Sequence, residues 1–260
     1  MPRIYVADNH EQVYPIWQEH KVKGALLTHL DFHCDMRGIL IDRKNNRAFF
    51  TSHRETTFVD RGNFLAHAIM SGMIKDICWV HGPKGGRAFD VGPVVSYETD
   101  YLARLHLFNH KRSGRNDVSI QFNECLLSDW SGMRQNEMLD LDWDAFASVE
   151  YDEVHRKELI EQFFEKDFTF IPELTTLIYS PGYSDPDRSL FEAFTEQLAD
   201  RFGAEIIQIQ KAPLNTQGES KSKIRKLIKQ WAPPQVRATK LKLSRAFRQL
   251  ESAKDLEMID

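Results

Sequence analysis

The feature that most constrains this chain is an apolar run, residues 26–30, that leads directly into alternating metal-type ligands. The run continues with Asp31, His33 and Asp35 at every second position. Side chains of a β-strand alternate between its two faces, so residues two apart point to the same side. Because unpaired buried charges are costly, we expect these three side chains to share one face and to bind a cation together. A solvent-facing edge strand is the alternative, but the preceding run is too apolar to favour it.

A histidine after the preceding strand is expected to join this trio. Residues 3–7 have the pattern of a short strand, residues 11–20 have helical apolar spacing, and residues 24–30 form the next strand. This order predicts a neighbouring parallel pair. Because open α/β sheets bind ligands at the carboxyl ends of their strands, His10 becomes a candidate ligand. Outside this context, His10 would be interpreted as a helix-start cap or a surface group.

A second acidic series lies in a predicted strand near the middle of the chain. Asp140, Asp142 and Asp144 again occupy every second position. Three carboxylates on one face repel one another unless a cation neutralises them. The spacing therefore favours a metal over the alternative, a charged edge strand exposed to solvent.

The order of strands and helices defines the expected fold class. Apolar runs alternate with amphipathic segments, which predicts an α/β protein: a three-layer α/β/α sandwich with a mainly parallel sheet. We expect residues 1–210 to form a catalytic domain. Residues 37–46 contain Gly, Lys and a pair of Asn, and are expected to form a loop.

The composition changes near the C-terminal end of the chain. Residues 211–260 are strongly basic as far as Arg248 and have helical apolar spacing, interrupted at Pro233 and Pro234. We expect a basic helical C-terminal extension. It would either pack as a solvated helix or contact an anionic partner, and the sequence leaves both alternatives open.

Composition and charge exclude several classes of protein. The chain has 260 residues and a net charge of -4, which gives no reason to expect nucleic acid as its main partner. No apolar run reaches the roughly 18 residues of a membrane helix, and no secretory signal pattern opens the sequence. Cys34, Cys78 and Cys125 lack CxxC spacing, which disfavours a disulfide framework and fits a reducing compartment. We expect a cytoplasmic protein that binds neither membranes nor nucleic acid; the sequence does not indicate its oligomeric state.

These motifs, in this order, resemble the arginase and deacetylase superfamily of metallohydrolases. A strand precedes the first histidine, a second strand precedes Asp-x-His-x-Asp, and a later strand carries Asp-x-Asp. The resemblance covers roughly residues 3–185, and in arginases the corresponding ligands hold two manganese ions. Asp140 and Asp142 are an alternative register for the last pair. The ligands that the resemblance implies are His10, Asp31, His33, Asp35, Asp142 and Asp144.

Two departures distinguish this sequence from arginases that act on free arginine. Arg37 stands where those enzymes have Asn, and residues 147–148 are Ala-Ser where they have Asp-Pro. Residues 6–10, 62–64 and 179–183 instead resemble a divergent branch that includes peptide arginases. Those enzymes convert arginine side chains of a ribosomally made precursor peptide to ornithine. The resemblance thus implies a two-manganese peptide arginase that releases urea and has a precursor peptide as its partner.

The resemblance also implies roles for individual residues. A metal lowers the pKa of its bound water from about 15.7 toward about 7, so that hydroxide is available to attack a guanidinium. Asp144 would steady the charged intermediate, and His67 would shuttle a proton to the leaving amine. His67 could equally be an ordinary partly buried histidine. Asn63 and Tyr183 are candidates for substrate contacts, because related folds place polar groups after the corresponding strands.

Two other functions remain open at this point. A deacetylase of an acylated lysine or polyamine would use the same superfamily scaffold, usually with one zinc and fewer carboxylates. A non-catalytic peptide-binding module held together by its metal is the other alternative. Four carboxylates and two imidazoles suit a hard to borderline ion such as Mn²⁺, which favours the arginase-type hydrolase.

Overall fold

The computed structural model describes residues 1–51, 59–84 and 117–209, together with the backbone of residues 94–95. These residues belong to the unit Met1–Gln210. The expected basic extension, residues 211–260, lies outside the described residues. Within the described residues, no helix combines the length and the apolar character needed to cross a membrane.

Strands and helices alternate along the described chain. In chain order the strands are β1 (Arg3–Ala7), β2 (Ala25–Leu30), β3 (Ile39–Asp42), β4 (Arg47–Phe50), β5 (Ile74–His81), β6 (Val94–Val95), β7 (Val118–Ser119), β8 (Gln121–Leu126), β9 (Glu137–Asp142), β10 (Leu174–Ile178) and β11 (Glu205–Gln208). The helices are α1 (Val13–Glu19), α2 (Phe64–Met70), α3 (Asp144–Ala147), α4 (Glu153–Phe164) and α5 (Arg188–Phe202), and a 3-10 turn covers His10–Gln12.

A seven-stranded sheet forms the centre of the described structure. Its strand order is β11-β1-β10-β9-β2-β5-β8, and all of its pairings are parallel. The predicted α/β fold with a mainly parallel sheet is therefore confirmed. One detail of the prediction was wrong: β1 and β2 are parallel but not neighbours, because β9 and β10 lie between them.

Helices cover both faces of the central sheet and create the three layers. On one face, Trp17 of α1 and Phe64 of α2 are fully buried in an apolar cluster with side chains of the sheet. On the other face, Phe163 of α4 and Phe194 of α5 pack with their ring centroids 5.6 Å apart in a second cluster. Two apolar cores on opposite faces are typical of a parallel sheet, whose strands are buried on both sides.

Local sequence signals account for the ends of the longer helices. Asp152 caps α4, since its carboxylate accepts a hydrogen bond of 2.9 Å from the His155 backbone N–H. Asp187 caps α5 in the same way through Ser189, at 2.9 Å. Helix α5 ends at Phe202 and is capped by Gly203, which adopts a left-handed φ of 57° that glycine tolerates without a steric penalty.

A second, four-stranded sheet with the order β6-β3-β4-β7 contains the main local error of the sequence analysis. The loop expected for residues 37–46 contains β3, which pairs antiparallel with β4. All four residues of β3 are buried. The turn between the two strands is stabilised by Asp42, whose carboxylate accepts hydrogen bonds from the Lys44 backbone N–H at 3.2 Å and from Asn45 Nδ2 at 2.7 Å.

Candidate metal centre

Six side chains meet beyond the carboxyl ends of β2 and β9. Three of them follow β2, one ends β9, one begins α3 and one begins the 3-10 turn after β1. Five are buried, and the sixth, that of His33, is 24% exposed. We call this group the six-residue cluster; its members are His10, Asp31, His33, Asp35, Asp142 and Asp144.

One half of the cluster surrounds the imidazole of His10. Its Nδ1 atom lies 2.8 Å from Asp35 Oδ2, 3.1 Å from Asp142 Oδ2 and 3.7 Å from Asp31 Oδ2. The ring of Phe64 stacks on the imidazole with a centroid separation of 4.8 Å and an interplanar angle of 17°. Three carboxylate oxygens and one nitrogen thus converge in a space closed on one side by an aromatic ring.

The other half surrounds His33, the most exposed member of the cluster. Its Nδ1 atom lies 3.1 Å from Asp144 Oδ2 and 3.7 Å from Asp31 Oδ1. Asp31 therefore presents one oxygen to each half of the cluster. Ligand atoms of Asp31, His33 and Asp144 all lie within 4.8 Å of one another, close enough for all three to coordinate one metal ion.

The backbone brings the first trio together by a route that differs from the predicted one. Strand β2 ends at Leu30, so the expectation that the trio alternates along one strand was wrong. Asp31 continues the sheet by donating its backbone N–H to Val80 O at 3.0 Å, and its Oδ1 accepts the His33 backbone N–H at 2.7 Å. Asp35 then adopts a left-handed φ of 49°. A turn, rather than strand alternation, directs the three side chains to the same place.

The second motif is fixed by hydrogen bonds to its carboxylates. The Asp144 backbone N–H donates to Asp142 Oδ1 at 3.1 Å, and the Phe32 backbone N–H donates to Asp144 Oδ1 at 3.2 Å. Ser180 Oγ donates to Asp142 Oδ2 at 2.5 Å. Ser180 lies in the loop after β10, and sequence analysis did not identify this contact. These bonds join the loops after β2, β9 and β10 around the cluster.

A buried chain of polar side chains behind the cluster was also missed. Thr176 Oγ1 donates a hydrogen bond to Asp140 Oδ1. The other carboxylate oxygen of Asp140, Oδ2, lies 2.8 Å from His29 Nδ1. His29 Nε2 in turn lies 3.2 Å from Asp31 Oδ2. His29 precedes Asp31 by two residues, and Asp140 precedes Asp142 by two. His29 and Asp140 are partners on the paired strands β2 and β9, a register that the sequence does not reveal.

This chain bears on the register of the Asp-x-Asp pair. Asp140 is bonded to Thr176 and to His29 on the sheet itself, whereas Asp142 and Asp144 lie at its carboxyl end against His10 and His33. The two registers thus place different carboxylates at the edge of the sheet, and Asp142 and Asp144 are the pair that lies against His10 and His33. Asp140 still approaches the cluster, since its Oδ2 lies 3.7 Å from His10 Nε2.

The electrostatics of the cluster fit bound cations. Each of its four carboxylates forms ion pairs, and within the described residues the positive partner in every one of them is a histidine. Burial and the charge of Asp31 raise the pKa of Asp35 from 3.8 to about 6. Burial and the charge of Asp142 raise the pKa of Asp144 well above its ordinary value. Two carboxylates are thus held where their ionised form is disfavoured unless a positive charge lies close by.

The imidazoles show the opposite effect. Burial lowers the pKa of His33, but the Asp144 and Asp31 carboxylates outweigh burial and raise it from 6.5 to about 11. The pKa of His10 is likewise raised, against burial, by Asp142 and Asp35. In addition, three atoms are buried without a hydrogen-bond partner among the described residues: His10 Nε2, His29 Nε2 and Asp31 Oδ2. Ligand atoms of these three residues also lie within 4.8 Å of one another. Donor atoms left in this state fit ligands of a divalent metal ion.

The three remaining candidate residues lie in different surroundings. The ring of Tyr183 meets that of His33 edge-on with centroids 5.5 Å apart, and Tyr183 is 43% exposed, so it borders the cluster. Asn63 is buried, and its Oδ1 accepts the Asp60 backbone N–H at 2.8 Å, which identifies it as part of a turn. The described ring contacts of His67 are with Tyr14 at 6.3 Å and Phe50 at 5.1 Å, and none of its described contacts is with a member of the six-residue cluster.

The fold and this cluster define an α/β protein with a buried group of histidines and aspartates able to hold divalent metal. No protein-family model matches the sequence, and no curated protein matches it. Among solved structures, the chain is similar to one titled a hypothetical agmatinase from Burkholderia thailandensis, with a TM-score of 0.42 and 16% identity. The match covers 78% of this chain and 58% of that chain. A similarity at this level assigns neither a family nor an activity.

Proposed function

We propose that this protein is a peptide arginase, a hydrolase that uses two manganese ions to convert peptidyl arginine to ornithine and urea. The proposal rests on the six-residue cluster, and above all on the position of Asp31. This residue offers one carboxylate oxygen to the half around His10 and the other to the half around His33. A carboxylate shared in this way suits two ions held side by side. The resemblance of the motifs to those of arginases supplies the reaction.

The chemistry of a guanidinium calls for an activated nucleophile. A guanidinium is delocalised and stays protonated at physiological pH, so water alone attacks its central carbon extremely slowly. When bound, the two ions would supply hydroxide near neutral pH, because a metal lowers the pKa of its water toward about 7. Asp144, held in place by the Phe32 backbone N–H, stands beside the exposed His33 and would stabilise the positive charge of the substrate during attack. The proposal assigns no proton transfer to His67, because its described contacts lie elsewhere.

The surroundings of the cluster support a peptide as the substrate. Arg37, which replaces the Asn of free-arginine enzymes, pairs with Asp60 at 2.5 Å. Its guanidinium is therefore committed to a contact within the protein. Tyr183 presents a 43% exposed ring next to His33, and the Arg61 guanidinium lies 5.2 Å from that ring. An exposed aromatic ring of this kind provides a surface for the backbone of a longer substrate.

Mass spectrometry of peptides incubated with the protein and Mn²⁺ tests the proposal. Each converted arginine should lose the mass of one cyanamide unit, and urea should appear in equal amount. Asp142→Asn should abolish the conversion while leaving the fold intact. Asp152→Asn is the matched control, because it removes a carboxylate from an exposed helix cap where asparagine also caps well.

Three results would contradict the proposal. An unchanged peptide mass with Mn²⁺-loaded protein over a panel of arginine peptides would remove the activity. Faster turnover of free arginine than of any peptide would remove the peptide specificity. Release of acetate from an acetylated lysine peptide, with one bound metal ion per chain, would establish the deacetylase alternative instead.

A further inference from the structure

Two cysteines that have no part in the metal centre lie next to each other in the central sheet. Cys78 belongs to β5 and Cys125 to β8, the strand at the edge of that sheet. Their Sγ atoms are 3.8 Å apart, and both residues are partly buried on the face that carries α4 and α5. The register places Cys125 opposite Val80, two residues beyond Cys78. The third cysteine, Cys34, is buried in the core on the other face.

We propose that Cys78 and Cys125 form a reversible disulfide when the protein meets a small-molecule disulfide such as oxidised glutathione. The two sulfur atoms are already in contact, so the bond requires them to approach by less than 2 Å, to the usual S–S length of about 2.05 Å. Because the register makes the two residues diagonal rather than opposite, β5 and β8 must also shift to bring their Cα atoms into the range of a disulfide. Partial exposure gives an oxidant access to the pair. The two cysteines are not linked in this structure.

The exchange proceeds in two steps that balance. Cys125 loses its proton, and its thiolate attacks one sulfur of the small disulfide, which releases one small thiolate and leaves a mixed disulfide on the protein. Cys78 then loses its proton and attacks Cys125 Sγ, which releases the second small thiolate. Each leaving thiolate takes up one proton. Two protein thiols are oxidised and one small disulfide is reduced to two thiols.

The position of the two strands indicates which thiol attacks first. Cys125 lies on the edge strand β8, whereas Cys78 lies on β5, between β2 and β8. Contact with Cys78 lowers the pKa of Cys125, and the positive charges of His81 and Lys166 act in the same direction, while burial and Asp129 oppose them. Because an incoming disulfide reaches the edge strand first and the thiolate is the nucleophile, Cys125 is the attacking residue and Cys78 the resolving one.

The bond would join the edge strand to the strand that supports the metal centre. Strand β5 holds the backbone of Asp31 at two points: Val80 O accepts the Asp31 backbone N–H at 3.0 Å, and Trp79 Nε1 donates to Asp31 O at 3.2 Å. A link between Cys78 and Cys125 would close the chain between β5 and β8 into a loop. This would restrict the unfolded chain and is expected to raise the unfolding temperature of the oxidised protein.

Thiol counting on the full chain in glutathione redox buffers tests the proposal. As the fraction of oxidised glutathione rises, the number of thiols that can be alkylated after denaturation should fall from three to one per chain. The intact mass should fall by two hydrogen atoms, and a reductant should reverse both changes. Proteolysis of the oxidised wild-type protein should yield a fragment in which Cys78 is linked to Cys125, and this result requires no variant to fold.

The Cys78→Ser variant supplies a second measurement. It should retain glutathione on Cys125, because no resolving thiol remains, and it should show no rise in unfolding temperature on oxidation. Three alkylatable thiols in every buffer would overturn the proposal. So would a stable mixed disulfide on wild-type Cys125 with Cys78 still reduced, or a linked fragment that contains Cys34.

Discussion

Replacing Asp35 with asparagine is expected to stabilise the metal-free protein at neutral pH and to weaken its stabilisation by metal. The carboxylate of Asp35 is buried next to Asp31, and these two factors raise its pKa from 3.8 to about 6. Asparagine imitates the protonated carboxyl in size and polarity. It also tolerates the left-handed conformation of residue 35, whose φ is 49°, better than alanine would.

The size of the effect follows from the pKa of the folded and unfolded states. Below pH 3.8 the carboxyl is protonated in both states and contributes nothing to the difference. Between pH 3.8 and about 6 the unfolded chain has given up this proton while the folded chain keeps it, so the folded state loses stability as the pH rises through this window. A rise of about two units corresponds to about 3 kcal/mol, since each unit is worth about 1.4 kcal/mol. In a domain of this size, that is a shift of about 6–12 °C in unfolding temperature.

Thermal unfolding of dialysed, metal-free protein at two pH values is the assay. At pH 7.5 the variant should unfold at a higher temperature than the wild type, and at pH 4 the two should nearly coincide. Added Mn²⁺ should raise the wild-type unfolding temperature more than that of the variant, because the variant has lost a ligand. Asp152→Asn is the control for the loss of one carboxylate at an exposed position. A variant that is less stable than the wild type at pH 7.5, or a difference that does not change with pH, would refute the reasoning.

Three further predictions concern the buried chain, the imidazoles and the core. Asp140→Asn should lower metal affinity about 10–100-fold, because Asp140 orients His29 behind Asp31. The circular dichroism spectrum should not change. An unchanged affinity would show that the buried chain of polar side chains does not position Asp31. His33, with a pKa raised to about 11, is protonated without metal, so metal binding should release protons and strengthen as the pH rises, and calorimetry in buffers of different ionisation enthalpy should detect the release. A proton count of zero would contradict this pKa. Phe163→Ala should lower the free energy of unfolding, measured with urea, by about 3–5 kcal/mol, since this ring is fully buried in an apolar cluster. The number of bound metal ions should not change, because Phe163 is not a metal ligand.

Much of the central sheet could be predicted from the sequence because its strands are apolar runs bounded by turn residues. The strands predicted at residues 3–7 and 24–30, for example, contain β1 and β2 in full. The prediction failed at β3, which has four residues in a segment rich in Gly, Lys and Asn. A run that short carries too little periodicity to outweigh the loop-forming residues around it, and only its pairing with β4 and β6 reveals it.

The sequence indicated which residues would meet but not how the backbone would bring them together. The spacing of Asp31 and Asp35 suggested one strand, whereas a turn places them. His29 was missed because a histidine inside an apolar run is usually a core residue with a local partner. Its partner, Asp140, lies on another strand, and only the register between β2 and β9 reveals the pair. Pairing between distant strands is a property of the folded sheet, so no local pattern could reveal it.

The cost of building this site argues that the six-residue cluster serves binding rather than stability. Asp35 and Ser180 both adopt a left-handed φ, of 49° and 51°, which costs about 1–2 kcal/mol for a residue other than glycine. Two hydrogen bonds hold Ser180 in this conformation: its backbone N–H donates to Asp8 O at 3.1 Å, and its Oγ donates to Asp142 Oδ2 at 2.5 Å. The carboxylates around these residues also repel one another where burial disfavours their charge. Apolar residues would fill the same space at lower free energy, as replacements of buried ion pairs in other proteins have shown. A cation offsets the repulsion, and the strained loops aim the carboxylates at it.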